Sequence, residues 1–411
     1  MAEAYIVDHC RTPRGIGKVG KGALADMHPQ HLGAAVLSAL RDRNNLDTAK
    51  VDDIIWGTSN QTGSQGGDLG RMSALDAGYD VRASGVTLDR FCGSGLTVAA
   101  LGASTVMAGW QDVVIAGGCE MMSYSFSPEG RRKVGLDGGN MRLRDLHPQV
   151  AQGVCADAIA SIEGISRLAT EELAVESQRR AAQSLADGRF EKSLVKVYKA
   201  DGTLALDHEE FPRPQTTLET LAALKPSFEA MMDFPLDETG ATHGELIRRA
   251  YPDLKIEHIH HAGNSSGVVD GAAAILVASK EACEANGWKP RAKITTAVNI
   301  GDSPELMLNA PVPAARKALE RAGLTPDDID LWEVNEAFAV VAEKFIRDFK
   351  LDRDKVNVCG GSIALGHPIG ATGAILIGTL IDELERQDKH RGLVTMCAAG
   401  GMAPALIIER L

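Results

Sequence analysis

Aromatic residues make up only 4% of this 411-residue chain, and no stretch interleaves them with clustered Lys or Arg. With a formal net charge of −12 as well, the chain lacks both the stacking surface and the phosphate-neutralising patch that nucleic acid needs. No apolar run is long and uncharged enough to span a bilayer. The opening residues, Met1 to Asp8, pass almost directly into a strand-like run without the charged and apolar regions of a secretory signal. Seven cysteines, an odd number scattered without short repeated spacings, argue against a disulfide framework or a Cys-rich zinc site. These absences lead us to expect a reduced, cytoplasmic protein with no resident metal. The acidic balance leaves anionic small molecules open as ligands, because local sites hold them.

What the chain does have is 44% hydrophobic residues and 43 glycines, the mixture of an α/β protein with many strand–helix turns. Its length exceeds one ordinary core. Residues 1 to about 120 alternate strand-like and helix-like runs, as in Ala4–Val7, His31–Arg43 and Val51–Trp56. A polar, irregular section follows to about residue 257, and a second α/β section then runs to Leu411. The two sections look like copies. Leu37–Asp42 leading to Val51–Trp56 is matched by Arg316–Arg321 leading to Asp327–Trp332, at an offset of roughly 280 residues. Residues 1–121 plus 257–273 are therefore read as a first half, 122–256 as an inserted loop domain, and 274–411 as a second half.

Four stretches carry reactive groups near turns. In Arg90-Phe91-Cys92-Gly93-Ser94-Gly95 a thiol stands where a strand turns into an Ala-rich helix, and the helix N-terminus favours thiolate. Asn335-Glu336-Ala337-Phe338 follows a strand and opens a helix. Gly360 to Gly373 is a glycine-rich loop displaying His367, and Cys397-Ala398-Ala399-Gly400-Gly401 ends a strand at a glycine turn. Each has a plainer reading: Cys92 or Cys397 as core thiols, His367 as a turn residue, Asn335 as a helix cap. The four together, in this order and on duplicated halves, resemble the thiolase family of acyl-CoA acetyltransferases over essentially the whole chain.

That resemblance implies an α/β fold of two duplicated βαβαβαββ halves in a layered αβαβα arrangement, with the loop domain inserted in the first. It implies Cys92 as the nucleophile carrying the acyl group, and His367 as its general base and possible ion-pair partner. Cys397 is implied as the second acid/base. Asn335, through a water, and His367 would make one oxyanion hole, and the backbone N–H groups of Cys92 and Ala399 the other. Arg213 and Ser266 match positions that contact the nucleotide and pantetheine parts of coenzyme A, which enters as substrate, with no further cofactor. Fatty-acid metabolism and a homodimer or homotetramer are implied too.

The chain also departs from the family pattern. His258, His260 and His261 crowd the approach to Ala262-Gly263-Asn264, and strand alternation puts His258 and His260 on one face; of a metal pair and polar residues at a strand edge we take the second, since no carboxylate or cysteine is visibly positioned to complete a shell. A segment around residues 233–252 is additional. Ala151-Gln152-Gly153 stands where many relatives have His-Met-Gly, and Ala399 where glycine is usual, which would be strained if that turn needs a positive φ. Two rival functions follow: a ketoacyl synthase, against which Cys397 argues, and a thiolase-like protein that binds acyl-CoA or lipid without turnover.

Overall fold

A computed structural model describes residues 2–131 and 135–411. Its main elements begin with β1 (Tyr5–Arg11), α1 (Pro29–Arg43), β2 (Asp53–Gly57), α2 (Leu69–Asp76), β3 (Ser84–Leu88), α3 (Ser94–Met107) and β4 (Val113–Met121). A long excursion carries α4 (Gln152–Glu163), α5 (Arg167–Ala186) and α6 (His243–Ala250) before β5 (Val269–Ala278). The rest is β6 (Ala292–Gly301), α7 (Pro311–Ala322), β7 (Leu331–Val334), α8 (Ala339–Phe349), α9 (Ile369–Arg386), β8 (Arg391–Thr395) and β9 (Met402–Arg410). Helix α1 shows why such boundaries fall where they do. The His28 side chain caps its start, Pro29 opens it, and Leu32, Val36, Leu37 and Leu40 form its buried stripe.

The strands lie side by side in the order β3-β2-β4-β5-β1-β6-β9-β8-β7. In the first half β3, β2 and β4 run parallel, while β5 is antiparallel to both β4 and β1. The second half repeats this: β7 and β8 parallel, β9 antiparallel to β8 and β6. The counterpart of β3 shrinks there to a single parallel bridge, Trp332 to Val356. Within the sheet, the two halves meet where Tyr5 and Ile6 pair with Lys293 and Ala292.

Period-two alternation sorts each strand between two cores. Val114, Ala116, Ile275 and Val277 face α3 and α9, as do Ile294, Val394, Leu406 and Ile408 from the other half. Their neighbours Val113, Ile115 and Leu276 face α1 and α2, while Leu393, Ala405 and Ile407 face α7 and α8. The result is five layers, αβαβα, with α3 and α9 in the middle. These two helices touch through glycines. A Cβ on Gly373 would lie 2.0 Å from the Leu96 nitrogen, and one on Gly95 2.7 Å from the Gly373 nitrogen. Backbone cannot yield as a side chain can, so Gly373→Ala is expected to cost at least about 1–3 kcal/mol, read as a fall in thermal midpoint.

One domain boundary differs from the sequence reading. β5 runs unbroken across residues 273 and 274 and pairs with first-half strands on both edges, so the seam falls after Ala278. Nor does the excursion own a separate core. Val154, Ile159 and Leu246 pack with Leu306, Val340 and Cys397, and Leu173 packs with second-half residues. Its apolar side chains share their cores with the second half and so tie the excursion to it. Among the described residues no helix is long and apolar enough to cross a membrane.

Candidate active site

Cys92 sits on the sharp turn between β3 and α3. Phe91 takes a left-handed backbone, φ 48°, unusual for a bulky residue. Ser94 holds it there, accepting from the Arg90 N–H at 2.9 Å and donating to the Phe91 carbonyl at 2.7 Å. The thiol is thereby aimed off the start of α3, where Gly93 offers no side-chain cap.

His367 stands just ahead of α9, whose first turn meets that of α3 at Gly95 and Gly373. Its N–H donates to the Gly267 carbonyl at 2.9 Å, and its Nδ1 lies 2.6 Å from the Thr372 hydroxyl. That hydroxyl donates its single proton to the Pro368 carbonyl at 2.9 Å. Nδ1 must therefore carry the ring proton, which leaves Nε2 bare as the base. Asn335 presents its amide nitrogen 3.5 Å from Nε2. Ser362 sets that orientation by donating to Asn335 Oδ1 at 2.6 Å. Asn335 does not cap a helix, since α8 starts only after Phe338. Its neighbour Glu336 is a buried anchor, accepting from Ser177, Asn357 and the Ile363 N–H.

Cys397 is fully buried, and its thiol is pushed up by burial and by the charge that a Cys92 thiolate would carry. The two sulfurs thus feel one another. Closeness of their chain segments is independent of that: a Cβ on Gly93 would lie 3.3 Å from the Ala398 methyl. The left-handed residues of the turn are Gly400 and Gly401, at φ 79° and 74°, while Ala399 is absent from the positive-φ residues. Alanine is accordingly unstrained at 399. The N–H groups of Cys92 and Ala399 donate to no oxygen of the protein among the described residues. Both residues line a cavity of about 810 Å³.

Burial dominates the electrostatics. It pushes Cys92 up to about 12, with buried Glu120 adding to the rise and a hydrogen bond from Gln152 opposing it. It also lowers His367 to about 4. The resting pair is therefore neutral thiol and neutral imidazole. The ion pair and the helix-stabilised thiolate suggested by the sequence lose to desolvation. Two pH dependences follow. The acid limb of kcat/KM is expected near pH 4 rather than near 6.5, read by initial rates across pH. Because the unfolded state binds the His367 proton more readily between those values, stability should fall as pH drops from 6.5 through 4.

Ser266 is half-buried, one residue from the carbonyl that holds His367, and its N–H donates to the Ala337 carbonyl at 3.0 Å. Arg213 is exposed, 5.3 Å above the Phe211 ring, which packs on Gly267. It has no carboxylate partner among the described residues. The histidine cluster resolves differently from a metal pair. Asp157 accepts from the Nδ1 atoms of both His258 and His260 at 2.7 Å, and His261 bonds Glu171 at 3.1 Å. The carboxylate that the sequence did not reveal comes from α4, a hundred residues upstream, and it uses the imidazoles as struts. Among the described residues no group of three or more His, Cys, Asp or Glu is placed to hold a metal ion.

The family models for the thiolase N-terminal domain and the thiolase C-terminal domain match residues 4–231 and 288–410. The chain belongs to the thiolase family. It is 39% identical to the steroid 3-ketoacyl-CoA thiolase FadA6 of Mycobacterium tuberculosis, over all of this chain and 95% of that protein. A beta-ketoadipyl-CoA thiolase of Acinetobacter baylyi is also 39% identical, with both chains covered in full. The crystal structure of the Bacillus anthracis acetyl-CoA acetyltransferase superposes with a TM-score of 0.84 at 30% identity, covering 100% of this chain and 99% of that one. This thiolase is thus an acyltransferase, acting by thiolytic cleavage and its reverse condensation. The residues that sequence reading missed are the supports: Ser94, Ser362, Thr372 and Glu336. Ser362 and Thr372 stand in the glycine-rich stretch around His367, but only folding shows what each hydroxyl bonds.

Proposed function

We propose that Cys92 carries the acyl group and that His367 and Cys397 move the protons. In the cleavage direction, His367 Nε2 takes the Cys92 proton as sulfur attacks the 3-keto carbon of the substrate. The bond between carbons 2 and 3 then breaks, and Cys397 protonates the departing acetyl-CoA enolate. Free CoA finally attacks the acyl-Cys92 thioester, giving up its thiol proton to the catalytic bases, and Cys92 leaves and is reprotonated. The N–H groups of Cys92 and Ala399 would hold the tetrahedral oxyanion, and His367 with Asn335, through a water, the enolate oxygen. The observation that carries this reading is the Thr372 hydroxyl 2.6 Å from His367 Nδ1, which leaves Nε2 as the acceptor that meets the Asn335 amide at 3.5 Å.

CoA would lie with its pantetheine past Ser266 and its nucleotide against Arg213, whose guanidinium is free to meet phosphate. No further cofactor is invoked, because the thioester itself activates the carbon. The relatives named for steroid and beta-ketoadipyl substrates, and a cavity of about 810 Å³, support acyl groups longer than acetoacetyl. Strand β3 ends the sheet with exposed Val86, and an unpaired edge of this kind supports assembly as a homodimer or homotetramer. Seven free, buried cysteines suit a reducing cytoplasm. The test is incubation with acetoacetyl-CoA and free CoA. Loss of the enolate absorbance is expected, and a protein that binds the thioester without that loss would support the non-catalytic alternative.

A further inference from the structure

The outer wall of the cavity comes partly from the additional segment, through Phe234, Pro235, Leu236 and His243. That segment is anchored. Arg144, almost fully buried, binds Asp137 on one side and Asp237 on the other, each at 2.6 Å. Thr242 and Glu245 form a reciprocal capping box, which fixes His243 as the first residue of α6.

The His243 ring is oriented by one bond. Its Nδ1 accepts from the Ala151 N–H at 3.2 Å, so the ring proton must sit on Nε2. Nε2 has no partner among the described residues, although the ring lines the cavity. Burial lowers its basicity, which keeps the ring a neutral donor at neutral pH. Ala151 and Gln152 line the same cavity, and the Gln152 side chain bonds the Cys92 sulfur. A donor of fixed direction therefore stands in the cavity wall, within a mostly apolar stretch, with no protein acceptor among the described residues. An acyl chain of plain hydrocarbon would bury it unsatisfied, which is the circumstance in which sites discriminate most strongly.

We propose that His243 selects the acyl group by donating from Nε2 to a second oxygen function on it. The preferred substrate is then a 3-ketoacyl-CoA longer than acetoacetyl-CoA whose far end carries a carboxylate or a ketone. The inference rests on the thiolase reading above and adds the chemistry of the acyl chain.

The test compares kcat/KM for three thioesters: 3-oxoadipyl-CoA with a terminal carboxylate, its neutral isostere 3,6-dioxoheptanoyl-CoA, and plain 3-oxohexanoyl-CoA. The wild-type enzyme is expected to favour at least one oxygenated substrate over the plain one by about tenfold or more. Which of the two it favours distinguishes carboxylate from ketone, and either result supports the proposal. In His243→Asn, whose side-chain oxygen can still accept from Ala151 but cannot reach as Nε2 does, the ratio should fall toward one, chiefly through KM. His243→Gln, which returns a donor near the Nε2 position, should restore part of it. A wild-type ratio near one, or a ratio untouched in His243→Asn, overturns the proposal. Should the wild-type enzyme cleave none of the three, nor acetoacetyl-CoA, the parent reading fails first and takes this one with it.

Discussion

Replacing Cys92 with serine is expected to lower turnover by about four orders of magnitude or more, with the protein still folded. The reason lies in the pair proposed to exchange the proton. Burial already holds the thiol at about 12 and the imidazole at about 4, so transfer from sulfur to His367 is uphill before substrate helps. A hydroxyl is a weaker acid than a thiol, and the same base would face a larger gap. Serine is slightly smaller and fits the turn that Ser94 pins, so circular dichroism and thermal midpoint should stay close to wild type. Intact-mass measurement after mixing with acetyl-CoA decides the matter. The wild-type protein should gain one acetyl group, and Cys92→Ser should gain none. An adduct that persists in the variant would move the acyl group to another residue.

Cys397→Ala is expected to separate the two halves of the chemistry. Making or breaking the carbon–carbon bond should slow by about 10²–10⁴-fold, the usual contribution of a positioned acid/base. Acetylation of Cys92 by acetyl-CoA should persist, since that step needs only sulfur, imidazole and the oxyanion donors. Cys397 is fully buried, and losing its sulfur leaves a gap of a single heavy atom, worth about 1 kcal/mol of stability. Following labelled CoA exchange into acetyl-CoA alongside acetoacetyl-CoA cleavage distinguishes the outcomes. Equal loss of both reactions would assign Cys397 to packing rather than proton transfer.

The contrast between these cysteines shows where sequence reading stops. Both stood out because each is followed by glycines at a strand end. For Cys92 the same local rule misjudged ionisation, since it weighed the helix N-terminus and could not weigh burial. Ala399 went the same way. Its place in a glycine turn suggested strain, but the chain spends its left-handed angles one and two residues later, at Gly400 and Gly401. His258 and His260 both bond Asp157, but they do so from a segment that is not a strand, and Asp157 lies on a helix about a hundred residues earlier. No periodicity reaches that far.

By itself the sequence determined the alternation of strands and helices, the duplication, and the four stretches that hold Cys92, Asn335, His367 and Cys397. These are properties of short windows, because propensity, turn chemistry and hydrophobic period act within a few residues. Only tertiary structure decided that Gly95 and Gly373 bring two helix starts together, that Thr372 fixes the proton on His367, and that Ala151 orients the His243 ring in the cavity wall. Those depend on distances between segments far apart along the chain, and desolvation, which sets the charge on every group in the site, exists only once the chain has closed around it.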